Sequence, residues 1–386
     1  MKIAVPILGF GRTGGYRVIS NLSTYWSRMG HNVEILVNHS SDLPYFPTEA
    51  KVRWLDDWGR EVGASAHDVL KDRRGFEQVF KSVRSLWRGL SRHAKFADVI
   101  LANHSLTAWP VFAARSHARK FYYVQAYEPE YYAQTDAGRK SLLQFVSWLT
   151  YFFPLTRIVN SPIYFNYRNL KANVFVPPGI DLDVFCPKQQ ISEATFRPVR
   201  IGCIGRKEPD KGTAYVIEAY EILRARNVPC ELHVAYGNIP EDKMKLEALK
   251  ISVPANDREL AAFYRSVDVL VSPLLVQQGA PHYPVMEAMA SGTAVITTGH
   301  LPANNANSWI VPLRNARAIA DAIVEIRTEV ADRRQRIESG IHDVRAYRWD
   351  VVAEKMLAEF NGKTPLATVA VSGGRETLGP TTKAEL

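Results

Sequence analysis

The chain reads as an α/β protein made of two doubly wound halves. Three observations predict this. Short β-branched or aromatic runs alternate with helix-patterned stretches along most of the sequence. The alternation breaks near Asp183–Pro198, a mixed polar stretch with two prolines, and then restarts. A length of 386 residues also exceeds what one ordinary core serves, so two domains are expected.

In chain order, the first half offers strands at Ile3–Leu8, Val33–Val37, Val52–Leu55, Val99–Ala102, Phe121–Val124, Ile158–Val159 and Val174–Val176. Helical patterns lie between them, as from Tyr16 to Arg28 and from Leu106 to His117. Such alternation argues a parallel sheet with helices on both faces. The second half opens with a buried run, Val199–Gly205, a helix from about Thr213 to Asn227, and strand Glu231–Ala235. Further strands are expected at Val269–Val271, Ala294–Thr297 and Trp309–Val311, and helices at Ala316–Ser339 and Trp349–Phe360. From 363 to 386 the chain is rich in Gly, Thr, Ser and Pro without a period, which predicts a flexible tail.

A hydrophobic content of 46% against 23% charged residues excludes a disordered chain. The formal charge of +9 points to an anionic partner. A nucleic acid is disfavoured, because the positive charge concentrates in one helix without a reader motif. Cys186, Cys203 and Cys230 lack metal-ligand spacing and read as structural thiols in a reducing compartment. Met1–Leu8 is too short for the apolar core of a secretory signal, and the run Ser141–Leu155 is shorter than the roughly 20 residues a spanning helix needs. The protein is therefore expected to be soluble and cytoplasmic.

Three stretches carry candidate chemistry. Gly9-Phe10-Gly11-Arg12-Thr13-Gly14 follows a strand and precedes a helix, in the form G-x-G-x-x-G. A dinucleotide site would want an acidic residue at the end of the second strand; that end is Asn38. Gly14-Gly15 equally allow close backbone approach to any phosphate, and a tight turn without ligand is the plain alternative. In Gly205–Gly212 a buried strand ends in Gly-Arg, and Lys211-Gly212 opens a helix five residues on. Arg206 and Lys211 at a strand's C-terminal edge make a diphosphate clamp, one forking across two oxygens and the other a point charge. Gly279–Thr297 reads as a Pro-rich loop, a small-residue helix carrying Glu287, a glycine turn and a buried strand; its helix N-terminus favours an anion.

Gly-Arg…Lys-Gly followed by Pro-x-x-Glu-Ala-Met-Ala-x-Gly-x-x-Val resembles glycosyltransferase family 4, of the GT-B fold. The resemblance extends over most of the chain. Gly14-Gly15, Arg28–Val33, Asn160-Ser161 and Pro177–Phe185 match in the first half, and Arg258–Tyr264, Val267–Val269 and Ser272-Pro273 in the second. It implies two Rossmann-like domains facing across a cleft: residues 1–184 on the acceptor side, with a return helix at about 345–362, and 185–344 binding a nucleotide diphospho-sugar. It also implies retaining sugar transfer to a saccharide or lipid-linked saccharide, with neither a metal nor a resident cofactor. In the family, Arg206 and Lys211 would hold the leaving diphosphate with help from Gly14-Gly15, and Glu287 the donor ribose. His104, after strand Val99–Ala102, would lie beside the transferred sugar.

One departure stands in the third stretch. Family members usually carry a second Glu eight positions before the first, and here that position is Gly279. The surrounding Ala280-Pro281-His282-Tyr283 replaces the usual loop, so His282 and Tyr283 become candidate donor contacts. On the acceptor side, Tyr127 and Glu128 offer an aromatic face and a carboxylate to a saccharide, or else belong to an aromatic loop packed on the core. Lys71–Lys95 carries eight Lys/Arg against Asp72 and Glu77, with apolar residues at helical spacing, so an anionic membrane surface is a further expected partner. Two rival functions remain on the sequence: a nicotinamide-dependent oxidoreductase using Gly9–Gly14, and a GT-B-like protein that binds nucleotide-sugar or glycan without transfer.

Overall fold

The computed structural model describes residues 1–63, 76–133, 140–172, 174–187 and 198–362, so the tail expected over 363–386 lies outside the described residues. The first half forms strands β1 (Lys2–Pro6), β2 (Asn32–Asn38), β3 (Lys51–Leu55), β4 (Val99–Ala102), β5 (Arg119–Val124), β6 (Thr156–Val159) and β7 (Val174–Phe175). The second half forms β8 (Val199–Ile204), β9 (Cys230–Ala235), β10 (Leu249–Ser252), β11 (Val269–Ser272), β12 (Ala294–Thr297) and β13 (Trp309–Ile310). Two parallel sheets result, in the orders β3-β2-β1-β4-β5-β6-β7 and β10-β9-β8-β11-β12-β13. Each order reverses once, at β1/β4 and at β8/β11. In open parallel sheets the crevice beyond such a reversal is where ligands bind.

Helices α1 (Gly14–Arg28), α2 (Phe76–His93), α3 (Ser105–Ala113), α4 (Glu128–Ala133) and α5 (Lys140–Leu149) belong to the first half. The second half holds α6 (Thr213–Ala225), α7 (Asp257–Ser266), α8 (Tyr283–Ala290), α9 (Ala316–Thr328) and α10 (Val330–Asp343), and α11 (Trp349–Asn361) follows. The strands are apolar on both faces, as sheets covered on both sides require. On one face of the first sheet Val18, Leu22 and Trp26 of α1 share a core with β1, β2 and β5. Leu86, Leu90, Ala108 and Val111 of α2 and α3 fill the other face.

Helix α11 packs on the first sheet although it follows the second in sequence. Its Phe360 is fully buried 5.5 Å from the Trp26 ring and 4.9 Å from Phe121, and Trp26 Nε1 donates to the Ala353 carbonyl at 3.1 Å. The chain thus crosses between the halves twice, and the two crossings are strapped together. Ile180 N donates to the Tyr347 carbonyl at 2.7 Å, and a Cβ on Gly179 would stand 2.3 Å from the Trp349 ring, which only glycine avoids. Ile180 and Phe185 are buried in the second half's core, so the chain joins that half slightly before the boundary expected at 184.

The described part of the basic helix packs one side on the first half. Leu86 and Leu90 are fully buried against the first sheet. The Arg84 and Arg88 guanidinium groups stack on Trp58 at 4.9 and 4.5 Å, and Lys81 pairs with Glu77 at 2.7 Å. Within the apolar stripe of α2, Leu86 and Leu90 are buried in the core while Phe80 and Trp87 stay exposed. Residues 71–75 of that stretch lie outside the described residues.

If α11 completes the first core, Phe360→Ala removes a fully enclosed ring and should lower unfolding stability by about 3–5 kcal/mol. Chemical denaturation followed by tryptophan fluorescence measures this, and a loss below about 1 kcal/mol would contradict that placement.

Candidate active site

The loops that leave the reversal points carry most of the predicted site residues. In the second half, Gly205 ends the β8 run and the chain turns through Arg206 to Lys211 before α6. Gly212 sets that turn: its φ is +74°, and a Cβ there would meet the Pro273 carbonyl oxygen at 2.3 Å. Thr213 Oγ1 accepts from Arg206 N at 3.2 Å, and Leu275 N donates to the Asp210 carbonyl at 2.8 Å, so the loops after β8 and β11 are tied to each other. Arg206, Lys211, Ser272, His282 and Tyr283 line one cavity of about 260 Å³. Its floor is apolar, from Ile204, Val216 and Leu270, and its polar groups converge from three loops.

The α8 N-terminus opens into this cavity. His282 occupies the cap position and Pro284 stands in the first turn, where a missing N–H costs nothing. The His282 Nδ1 lies 3.2 Å from Ser272 Oγ, and its ring is 5.3 Å from His300. Enclosure by protein, with His300, Lys211 and Arg206 nearby, drives the His282 pKa down to about 3. The ring is therefore neutral at physiological pH, a hydrogen-bonding group and not a cation. Among the described residues no cluster of three or more His, Cys, Asp or Glu side chains is placed to hold a metal ion.

Glu287, one turn further along α8, is buried, with both carboxylate oxygens occupied. Oε2 accepts from the Tyr264 hydroxyl at 2.9 Å. Oε1 faces Arg17 Nη1 at 3.3 Å. Burial pushes the Glu287 carboxyl above its ordinary range, while Arg17 and the Tyr264 hydroxyl pull it back. Arg17 also pairs with Asp257 at 2.8 Å and lies 4.9 Å over the Tyr283 ring. It belongs to α1, on the first half; all three partners belong to the second. The two halves are thus in contact across the cleft.

Gly14 is part of that contact: an ideal Cβ there would be 3.6 Å from Tyr283 Cε2, whereas one on Gly15 would be 3.4 Å from Gln125 Oε1 of its own half. Gly279 has φ +82°, and a Cβ there would be 3.4 Å from Ile163 Cγ2 of the first half, so the position where the sequence expectation set a missing Glu is a left-handed turn against an isoleucine. Two buried polar atoms at the cleft, Tyr283 Oη and Asn160 Oδ1, have no hydrogen-bond partner in the protein. Such groups are rare in proteins and call for an explanation.

His104 caps α3 at the other reversal point. Its Nδ1 accepts from Leu106 N at 3.1 Å, which leaves the proton on Nε2 of the neutral ring; burial lowers its pKa. Asn103 beside it donates to the Pro6 carbonyl at 2.7 Å, clamping the β4 loop to the end of β1. His104 does not line the cavity of Arg206 and Lys211.

The acceptor-side assignment of Glu128 needs correction. This carboxylate is buried: Oε1 accepts from Ser105 N at 3.1 Å and from the Tyr122 hydroxyl at 2.8 Å, and Oε2 accepts from the Tyr151 hydroxyl. It fastens α3 to α4 and has no oxygen left for a saccharide. Tyr127 stacks on Tyr151 at 5.4 Å and accepts from Asn169 Nδ2 at 2.6 Å, so the aromatic loop packs on the core.

Arg17, Asp257 and Tyr264 were not singled out as site residues from sequence. A signal existed for Arg17: it stands one turn after the Gly14 helix start, on the polar side of α1, in a helix whose beginning faces the ligand.

Comparison with known proteins defines the class. Residues 198–329 match the family model of group 1 glycosyl transferases. Phosphatidyl-myo-inositol mannosyltransferase of Mycobacterium leprae is 24% identical over 216 residues, covering 52% of this chain and 55% of that protein. D-inositol 3-phosphate glycosyltransferase of Paenarthrobacter aurescens is 30% identical over 139 residues, covering 32% and 34%. The match spans about half the length of the first of these relatives. Among solved structures, sucrose-phosphate synthase from Thermosynechococcus elongatus aligns with TM-score 0.69 at 18% identity, covering 94% of this chain and 98% of that one. Anabaena HepE in complex with UDP-glucose aligns with TM-score 0.63 at 14% identity, covering 94% and 100%.

Residues 198–329 carry the likeness to group 1 glycosyl transferases, and the chain shares the two-domain GT-B fold of these solved structures over 94% of its length. Its relatives are glycosyltransferases, and the nicotinamide reading of Gly9–Gly14 finds no support among them.

Two outcomes follow from this geometry. Arg17→Ala removes the cation that joins the halves, so the cleft should open and the radius of gyration by small-angle scattering should rise. An unchanged radius would show that Arg17 does not hold the closure. The second concerns acid. The folded His282 resists the proton that the unfolded chain accepts near its ordinary 6.5, so its contribution to stability is full above that pH and is lost as pH falls toward about 3. His104 and His300, also lowered by burial, act in the same direction. Melting measured from about pH 7 down to about pH 4 should therefore fall less steeply for His282→Gln than for the wild type.

Proposed function

We propose that the protein is a retaining glycosyltransferase that moves a sugar from a nucleotide diphospho-sugar to a saccharide or lipid-linked saccharide, in the synthesis of a surface polysaccharide or glycolipid. The observation that carries this reading is the convergence of Arg206, Lys211, His282 and the α8 N-terminus on one cavity at the β8/β11 reversal. Two cations and a helix N-terminus in an enclosed pocket suit a diphosphate. HepE, whose solved structures hold UDP and UDP-glucose, shares the fold.

In the reaction the bond between the anomeric carbon and the diphosphate oxygen breaks, and the leaving diphosphate keeps the electron pair. The acceptor hydroxyl bonds to the same face of the anomeric carbon, and its proton passes to the departing phosphate oxygen. Charge develops on the leaving group, so preorganised donors there contribute most. Arg206 and Lys211 stabilise that charge without a metal, assisted by backbone N–H groups at the start of α8 and of α1 at Gly14-Gly15. His104, with Nε2 as its donor, serves the transferred sugar. Glu287 binds the donor ribose, which must then compete with Arg17 for Oε1 or share it. His282 and Tyr283 stand where donor selectivity is set, His282 as a neutral partner in place of the usual carboxylate.

Screening nucleotide diphospho-sugars for thermal stabilisation identifies the donor, since a ligand bound only by the native state raises the melting temperature. With that donor, Arg206→Ala and Lys211→Ala should each lower turnover by about 10²–10³-fold. Unchanged turnover in either variant contradicts the assignment. A donor that binds without transfer or slow hydrolysis would favour the binding-protein reading.

A further inference from the structure

Helix α5 is built inside out. Ser147 and the following Thr150 are buried, their hydroxyls donating back to the Leu143 and Ser147 carbonyls at 2.6 Å each. Leu142, Phe145, Trp148 and Phe152 face solvent instead, at helical spacing and between 38% and 55% exposed. A helix on a globular protein normally turns its apolar stripe inward. The inward side sets buried Ser147 and Thr150 beside half-buried Leu143 and Val146, and the outer face is aromatic.

The exposed residues join into one surface. Phe152 contacts Trp148 at 4.5 Å, and Trp148 stacks with Phe145 at 6.1 Å. Next to Phe152, Phe153 stacks on exposed Phe112 of α3 at 4.4 Å. Exposed Trp87 of α2 reaches the same place, its Nε1 donating to the Ala113 carbonyl at 3.0 Å. The ledge thus crosses three helices on the outer face of the first half. A contiguous apolar surface of this kind marks an interaction site.

Charge around the ledge selects the partner. Residues 142–157 contain Arg157 and no acidic residue, and 112–120 contain Arg115, Arg119 and Lys120 and no acidic residue. Arg115 and Arg119 are exposed. Trp and Phe beside Lys and Arg is the composition of a surface that settles into the interface of an anionic bilayer. A second copy of the chain is disfavoured, because a two-fold contact through this ledge would bring together two basic rims, each carrying Arg115 and Arg119. No helix among the described residues is long and apolar enough to cross a membrane, so the contact lies on the surface.

We propose that the aromatic ledge of α2, α3 and α5 docks the protein on an anionic lipid bilayer, with Phe145, Trp148 and Phe152 entering the headgroup region. The proposal stands apart from the glycosyl-transfer reading, since docking needs neither donor nor acceptor. It places the lipid contact on α5 and not on the basic face of α2.

Co-sedimentation of the full chain with phosphatidylcholine vesicles, with and without phosphatidylglycerol, tests it. The wild type should pellet with the mixed vesicles and remain in solution with pure phosphatidylcholine. The double variant Phe145→Ser/Phe152→Ser should bind at least about ten-fold more weakly while keeping the wild-type melting temperature, as exposed positions allow. Arg115→Glu/Arg119→Glu should weaken binding similarly, and Lys81→Glu should leave it unchanged. Equal pelleting of the wild type and the Phe145→Ser/Phe152→Ser variant overturns the proposal. So does a wild type that ignores both vesicle types, or one that sediments as a dimer which this variant splits without any vesicle binding. Turnover on soluble acceptors reports separately on the transfer reading.

Discussion

A guanidinium buried between two domains is the contact on which the shape of the cleft depends. Arg17 leaves water at the start of α1 and is compensated only by groups of the other half: Glu287, Asp257 and the Tyr283 ring. Removing one partner of a buried pair leaves the other charge uncompensated, a larger penalty than the pair's own net worth. Closing the cleft therefore demands that α1 and α8 meet in one register, and that register sets Gly14 against Tyr283. The helix start offered to a phosphate and the helix carrying Glu287 are positioned by the same charge.

The covalent connections permit this contact to break. Both chain crossings run side by side, joined at Ile180–Tyr347 and at Gly179 beneath Trp349. Because α11 completes the first core, the second crossing is anchored at its far end. Among the described residues the backbone passes between the halves at this paired strap, so the α1–α8 contact rests on side chains and not on the chain path.

The fold was legible because its signals are local and repeated. Alternating apolar runs, the break near Asp183–Pro198 and the glycines at Gly205 and Gly212 each act within a few residues and agree with one another. That Arg206, Lys211 and His282 meet in one cavity follows for a related reason: each stands at the end of a strand or the start of a helix, and β8 and β11 are neighbours in the sheet. What sequence did not yield is pairing between distant segments. Arg17 and Glu287 are 270 positions apart, and nothing local marks them as partners. Glu128 misled for the converse reason. A carboxylate beside tyrosines reads as a sugar site, yet the hydroxyls of Tyr122 and Tyr151 turn toward it and consume it.

Helices α2 and α5 show where periodicity stops being informative. Both alternate apolar and polar faces, and a period of 3.6 states only that two faces exist. In α2 Leu86 and Leu90 go inward between β2, β3 and the neighbouring helix while Phe80 and Trp87 stay outside, and Trp58 absorbs two of its arginines. In α5 and the turn that follows it, Ser147 and Thr150 are buried, and Phe145, Trp148 and Phe152 are left outside. Side-chain volume at the contact decides which face is buried. The inner hydroxyls tolerate burial because each satisfies itself on its own helix backbone, a bond that needs no partner from the sheet. One side of the cationic helix α2 is packed into the core, and the apolar run too short to span a membrane leaves Phe145, Trp148 and Phe152 outside.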